Sequence, residues 1–469
     1  MNSIRWLLIL VFVSGLASVW AAPAKKARQF PDDLRLRRFI EAKAAQVNDL
    51  IEEYDLRRPP EVKKFFDAAR AGDWDTIFRV QGILASQTTR FAGSLSPKRG
   101  LVDGSIFQTV YEVYVACDAF YDTKEEYLRA FALPTIRSIP PGSILFSGSD
   151  SVRGLISSMQ ASQINGIPFF TIAHGTLVDS SYQRVLRHTY VGKITLPSSY
   201  EARMVINNYI DGARRRYIHD RDYPDEPKQL EDGENVVLDP RTGRASVSGG
   251  TAVTKVNALL AQKIFDRNPR REFFVQARHP IKWMYRHLEP HGFIMKLNRT
   301  PLTGITPEMV ERDRQHWQEL CSRFATGGKP KASNPAGGIL GFATSTAIGV
   351  DPVANTETFF GDEKYPYYAR RLYASLRSEI AGLYFWWSEN HRDESERKRM
   401  RHEAGLAYNQ ALAIFAADED AATWKHDQLV AEGKKAEAIL FLQRALELDG
   451  DSDELRGLLE KLLGKAPTN

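Results

Sequence analysis

Cysteine is almost missing from this chain of 469 residues: Cys117 and Cys321 are the only two. No CxxC pair and no Cys/His spacing of the zinc-finger kind occurs, so no structural metal is expected. Two cysteines so distant can pair in an oxidising compartment or stay as buried thiols. Charge of one sign is also lacking. The chain has 63 basic and 58 acidic residues, a net charge of +5. Nucleic-acid binding needs a concentrated basic face, which this scattered balance does not suggest. Long apolar runs are absent except at the N-terminus, which excludes a multi-pass membrane protein. No GxGxxG or GxxxxGK[ST] is present, so nucleotide binding has no motif and no cofactor is expected. No GxSxG or HExxH occurs either. What remains is an ordinary globular balance, 43% hydrophobic and 26% charged.

The one apolar run reads as a secretory signal. Arg5 supplies a positive start, Trp6 to Trp20 an apolar core, and Val19-Trp20-Ala21 or Ala22-Pro23-Ala24 small residues for cleavage. An uncleaved anchor is the other reading, but it wants about 20 apolar residues and this run includes Ser14, Gly15 and Ser18. The expectation is a signal peptide over 1–21, an extracytoplasmic location (periplasm or secreted), and no membrane span after cleavage.

Hydrophobic patterning divides the rest. A helical N-terminal region covers 30–132. Ile40, Ala44, Val47, Ile51 and Tyr54 form one stripe, and a hairpin follows with Phe65, Phe66, Trp74, Ile77 and Phe78 as its seam. Ala92 to Gly104 is a Gly/Ser/Pro-rich connection, and Gly104 to Ala132 is aromatic-rich and helical. An α/β domain covers 133–325. Its expected strands are Ser143 to Ser147, Pro168 to Ala173, Ile194 to Leu196, Phe273 to Gln276 and Phe293 to Leu297, with a hairpin around Pro240-Arg241-Thr242-Gly243. Strands alternating with helices predict a mainly parallel sheet with flanking helices. Residues 326–364, rich in Gly, Pro, Ala, Ser and Thr, read as a linker or long loop. A helical domain covers 365–465.

That tail holds a repeat. Ala438, Leu442 and Ala445 follow Gly433 with the spacing of the second helix of a tetratricopeptide repeat. Ala404, Tyr408 and Ala411 stand 34 residues earlier, the period of that motif. Two degenerate repeats that recruit a protein partner are one reading. A helical bundle that only completes a core is the other.

The middle of the chain resembles a known family. Pro140-Pro141-Gly142-Ser143-Ile144-Leu145-Phe146 followed by Gly148-Ser149-Asp150, and then Asp179 to Tyr182, are similar to the extracytoplasmic C-terminal region of predicted bacterial membrane glycosyltransferases related to protein O-mannosyltransferases. Tyr223 to Gln229, Lys263 to Phe274, Trp283 to Asn298 and Leu376 to Tyr384 extend the likeness. Those relatives carry a polytopic membrane half that this sequence lacks. After Asp150 it has Ser151-Val152-Arg153-Gly154 where they often have a Pro/Gly turn. The resemblance therefore implies fold and location more than sugar transfer.

The candidate site lies where two expected strands end. Asp150 and His174 each follow a strand, and in an open α/β sheet both would stand at the carboxyl edge, where ligands bind. Arg153, Asp179 and Tyr182 are near enough in sequence to join them. Carboxylates for hydroxyls, an arginine for an anion and a tyrosine wall suit a sugar or a phosphate. The competing role is helix capping by Asp150 and Asp179. His287, Glu289 and His291 read as turn residues rather than metal ligands. Two functions stay open: an exported, non-catalytic binding or scaffold protein assisting envelope glycan or protein assembly, and a carbohydrate-active enzyme using the Asp/His/Tyr cluster.

Overall fold

The computed structural model describes residues 33–88, 102–122, 125–160, 168–325, 367–450 and 452–464. The expected signal peptide, the 326–364 stretch and most of the Ala92 to Gly104 connection lie outside the described residues, as does the side chain of Cys321. The described residues group into two compact units, one within Met1–Tyr121 and Pro140–Phe273, the other within Asp122–Ile139 and Phe274–Asn469.

In the first unit, Asp33 caps the helix Leu34–Glu53 by accepting from the Arg35 N–H at 2.7 Å. The buried face of this helix is Leu36, Phe39, Ile40, Lys43, Gln46, Val47 and Leu50. It is rotated from the expected stripe, and Tyr54 is exposed. The rotation follows from Lys43 and Gln46, two polar residues that find buried partners. Pro60 opens the helix Pro60–Ala71, Gly72 ends it in the left-handed region at φ 70°, and Asp73 caps Trp74–Gln87. Phe65, Phe66 and Ile77 form the seam with Val80 and Leu84, but Phe78 faces outward. Trp74 instead stacks on Tyr114 and Tyr121, with centroids 5.5 and 4.8 Å away.

Strands β1 (Ile144–Ser147) and β2 (Phe170–Ala173) pair in parallel, with Ser147 opposite Ala173 at their ends. Every residue of both is buried, as continuous apolar runs in a covered parallel pair must be. The hairpin of β3 (Asn235–Leu238) and β4 (Ala245–Ser248) forms a separate two-stranded sheet. With β5 (Phe273–Gln276), β6 (Leu288–His291) and β7 (Ile294–Leu297), the main sheet has the order β2-β1-β5-β7-β6.

The main sheet is mixed. Strands β6 and β7 are antiparallel, with His291 opposite Ile294. Only Gly292 and Phe293 join them, a link far too short for a parallel crossover. Glu289 and His291 thus lie in a strand rather than a turn. Residues 194–196 form no strand, because the Asn268 side chain takes both the Thr195 N–H and its carbonyl, each at 2.9 Å.

In the second unit, the helices Tyr367–Asn390, Glu394–Ile414, Glu419–Ala431, Lys435–Leu448 and Asp453–Leu462 make up the C-terminal region. Gly433, at φ 74°, turns the chain between two of them. Ala404, Ala411, Ala438 and Ala445 are all buried. In the aromatic run Tyr384-Phe385-Trp386-Trp387, Tyr384 and Trp387 are buried, Phe385 is exposed, and Trp386 stacks on Tyr285 at 5.2 Å. Among the described residues no helix is long and apolar enough to cross a membrane.

Candidate functional site

The carboxyl ends of β1 and β2 do bring the sequence candidates to one edge. Ser149, not Asp150, caps the helix Asp150–Met159. Asp150 lies one residue inside it, free to turn its carboxylate elsewhere. It accepts from Arg153 at 2.6 Å and from the Tyr111 hydroxyl at 2.9 Å. Arg153 is 5% exposed and also faces Glu112 at 3.6 Å. Glu112 in turn pairs with buried Lys43, which donates to Gln46 at 2.9 Å. Burial pulls the Arg153 guanidinium down, but Asp150, Tyr182 and Glu112 outweigh it and hold it above its ordinary value. Tyr111 is raised by burial and by the Asp150 carboxylate it touches.

Asp179 takes the capping role expected of it, accepting from the Ser181 N–H at 2.8 Å. Its other oxygen accepts from Gln108 at 3.0 Å. The Tyr182 hydroxyl accepts from the Ala173 N–H at 2.7 Å, so it is tied to the last residue of β2. His174 is 7% exposed, and burial pushes its imidazole down to about 4 against an opposing bond to the Ser147 backbone. Its Nδ1 and the Arg153 Nε have no hydrogen-bond partner among the described residues. The loop after His174 is held by Asn257, which accepts from the Val178 N–H at 2.7 Å and donates to the Gly175 carbonyl at 2.5 Å.

Gln108, Tyr111 and Glu112 sit at i, i+3 and i+4 on the helix Gly104–Asp122, so a single helical face supplies the partners of Asp179, Asp150 and Arg153. Close approach of this helix depends on Gly154. A Cβ there would meet the Val115 carbonyl carbon at 2.7 Å. The sequence showed these residues only as part of an aromatic helix. Their polar spacing was the available signal, but nothing in it names the sheet edge as partner.

Chemically, the edge is a neutralised network. Two buried cations, Lys43 and Arg153, meet two carboxylates, Glu112 and Asp150, and the Tyr111 hydroxyl donates to Asp150. Among the described residues no group of three His, Cys, Asp or Glu side chains is placed to hold a metal ion.

A second feature of the same unit was not among the sequence candidates. An open cleft of about 360 Å³ is lined by 192–195 and 267–271. Arg271 crosses to donate to the Gly142 and Lys193 carbonyls at 3.1 and 3.0 Å. Gly142 immediately precedes Ser143 and β1, so this cleft belongs to the amino ends of the strands. The run Arg267-Asn268-Pro269-Arg270-Arg271 was its signal in the sequence. No protein-family model, curated protein or solved structure matches the chain.

Proposed function

We propose that this chain is an exported binding or scaffold protein, with the C-terminal helices as its protein-binding part and envelope glycan or protein assembly as the process it serves. The observation that carries the non-catalytic reading is the pairing of Asp150 with Arg153 and Tyr111. A carboxylate so engaged, on a guanidinium almost wholly buried, serves the fold before it serves a substrate. Support for the binding part comes from the tail. Its alanines at a 34-residue spacing are buried, while Lys435, Glu437, Gln443 and Glu447 stay exposed. A tetratricopeptide-like arrangement would present such a polar face to a protein. The family resemblance adds the location.

A second reading, glycosyl transfer or hydrolysis at the strand ends, draws on the His174 Nδ1, which has no partner among the described residues. One experiment separates the two. The full mature chain is used as bait in extracts of its own host, beside a variant reversed at Lys435 and Glu437 and beside D150A. Loss of a recovered partner in the charge-reversed variant, with its melting temperature unchanged, supports the binding reading. Turnover of an envelope glycan that D150A abolishes without unfolding would replace that reading with the enzymatic one.

A further inference from the structure

Four carboxylates gather round one guanidinium where the helix Glu419–Ala431 begins. Asp418 caps that helix, accepting from the Ala421 N–H at 3.1 Å and from the Ser378 hydroxyl at 2.5 Å. Glu379 follows Ser378 on the helix Tyr367–Asn390 and accepts from Gln276, the last residue of β5, at 2.7 Å. Arg278 lies two residues further on. Its Nε and one terminal nitrogen donate to Asp420 at 2.6 and 3.0 Å, and its other terminal nitrogen donates to Glu419 at 2.6 Å. Side chains from 276–278, 378–379 and 418–420 thus meet in one cluster.

Arg278 answers two of these acids and leaves two. All three of its nitrogens are taken by Asp420 and Glu419, and neither Glu379 nor Asp418 accepts from a cation among the described residues. The other groups facing the cluster do not alter this. His279 stands 3.8 Å from Asp420, but its side chain is 74% exposed. Arg371 acts on Glu419 from an exposed position and lies 3.7 Å from Asp449. Tyr285 and Tyr408 keep their protons, because burial raises both hydroxyls. Two buried carboxylates that share no cation repel each other and resist ionising together. Asp418 has a backbone N–H and a hydroxyl to hold its charge, whereas Glu379 has only the Gln276 amide, so Glu379 is the acid that keeps its proton. Burial and the Asp420 and Asp418 charges raise its carboxyl to about 8.

We infer that this cluster is a proton-operated latch: the proton on Glu379 holds the helices from Glu419 onward against the helix Tyr367–Asn390, and losing it frees them while the rest of the chain stays folded. Ionised Glu379 stands beside Asp418 and Asp420 with no cation to answer it. Swinging the start of the helix Glu419–Ala431 outward removes both neighbouring charges and lets water reach the carboxylate. The helices that move come last among the described elements, and each packs chiefly on the next. Such a terminal stack opens without unfolding the elements before it.

The test is amide hydrogen exchange, read by mass spectrometry on the full mature chain. Wild type and E379Q are compared at each pH, so that the intrinsic exchange rate cancels. Glutamine keeps the size and neutrality of the protonated acid. Between pH 6 and 8, wild-type protection over 419–448 relative to E379Q should fall by up to about tenfold per pH unit, because each opening then releases one proton. Above about pH 8 the fall should level off, since the closed state has lost the proton too. Protection of Leu34–Glu53 and Tyr367–Asn390 should be the same in both proteins. Wild type also serves as its own control: corrected for intrinsic rate, protection over 419–448 should fall against that of Leu34–Glu53 in the same molecule. A ratio that stays flat from pH 6 to 8 would overturn the latch. So would a parallel loss of protection in all these segments, which would mark global unfolding instead of local release.

Discussion

Glu379 is held 2% exposed, with one carboxyl oxygen accepting from Gln276 at 2.7 Å and the other without a partner among the described residues. Burial, reinforced by Asp420 and Asp418, pushes its carboxyl up to about 8. Asp418, buried while it caps the helix Glu419–Ala431, is pushed up to about 6 by the same cause. Both acids are therefore protonated more readily in the folded chain than in the unfolded one, and their contribution is fully present below the unfolded value of each. As pH rises the unfolded chain gives up these protons first, so stability falls until the folded value is passed. From pH 6 to 8 Asp418 is already largely spent and Glu379 dominates, with a slope of at most about 1.4 kcal/mol per pH unit. His174 acts in the opposite sense. Its folded value near 4 lies below the ordinary 6.5, so its contribution is present above pH 6.5 and fades as pH falls toward 4. Urea unfolding of E379Q should therefore show a flatter stability curve between pH 6 and 8 than wild type. A slope as steep as wild type in that window would mean Glu379 is not the group responsible.

Among the elements, the hairpin Glu419–Ala431 and Lys435–Leu448 shows how small side chains set helix spacing. Ala438 is wholly buried and Lys435, three residues earlier, is exposed. Adding a branched side chain where helices already touch forces them apart, at a cost of about 1–3 kcal/mol. A438L should lower stability by that amount, while K435L changes it by less than about 0.5 kcal/mol. Chemical denaturation of the two variants decides it, and equal tolerance would mean that Ala438 is not at a close helix contact. The helix Gly104–Asp122 makes a related point. Its partners at the strand ends are decided by one polar face, whereas the aromatic residues that dominate its composition mostly stack on one another, as Phe107 on Tyr111 and Tyr111 on Tyr114.

For the molecule as a whole, the N-terminal segment lies outside the described residues. We propose export on the length of the apolar core and the small residues after it. Protein purified from its native host should begin near Ala22 or Lys25 by N-terminal sequencing. An intact Met1 on protein recovered from the cytoplasm would remove the proposal, and with it any oxidising environment for the cysteines. Cys117 is a free, fully buried thiol whose proton burial makes hard to remove, so it is chemically quiet in either compartment.

Local chemistry was enough to place the N-terminal hairpin, the strands β1 to β5, the β3–β4 turn and the C-terminal helices. Proline at a helix start, glycine in the left-handed region and apolar periodicity act over a few residues, and a sequence displays them directly. It also brought Asp150, Arg153, His174, Asp179 and Tyr182 to one edge, since residues that follow parallel strands share that edge by geometry. What the sequence could not display were choices made by distant partners. Lys43 turns inward because Glu112 waits for it, and Asp150 leaves the cap to Ser149 because Arg153 and Tyr111 claim its carboxylate. Residues 194–196 are not a strand because Asn268 occupies their hydrogen bonds, and β6 runs back along β7 because a two-residue link allows nothing else. The basic cleft at 192–195 and 267–271 exists only after folding, when two helix ends some 75 residues apart in the chain are tied together by Asn268 and Arg271. Hydrogen-bond partners and charge neutralisation are properties of position in space, so only the tertiary structure decided them.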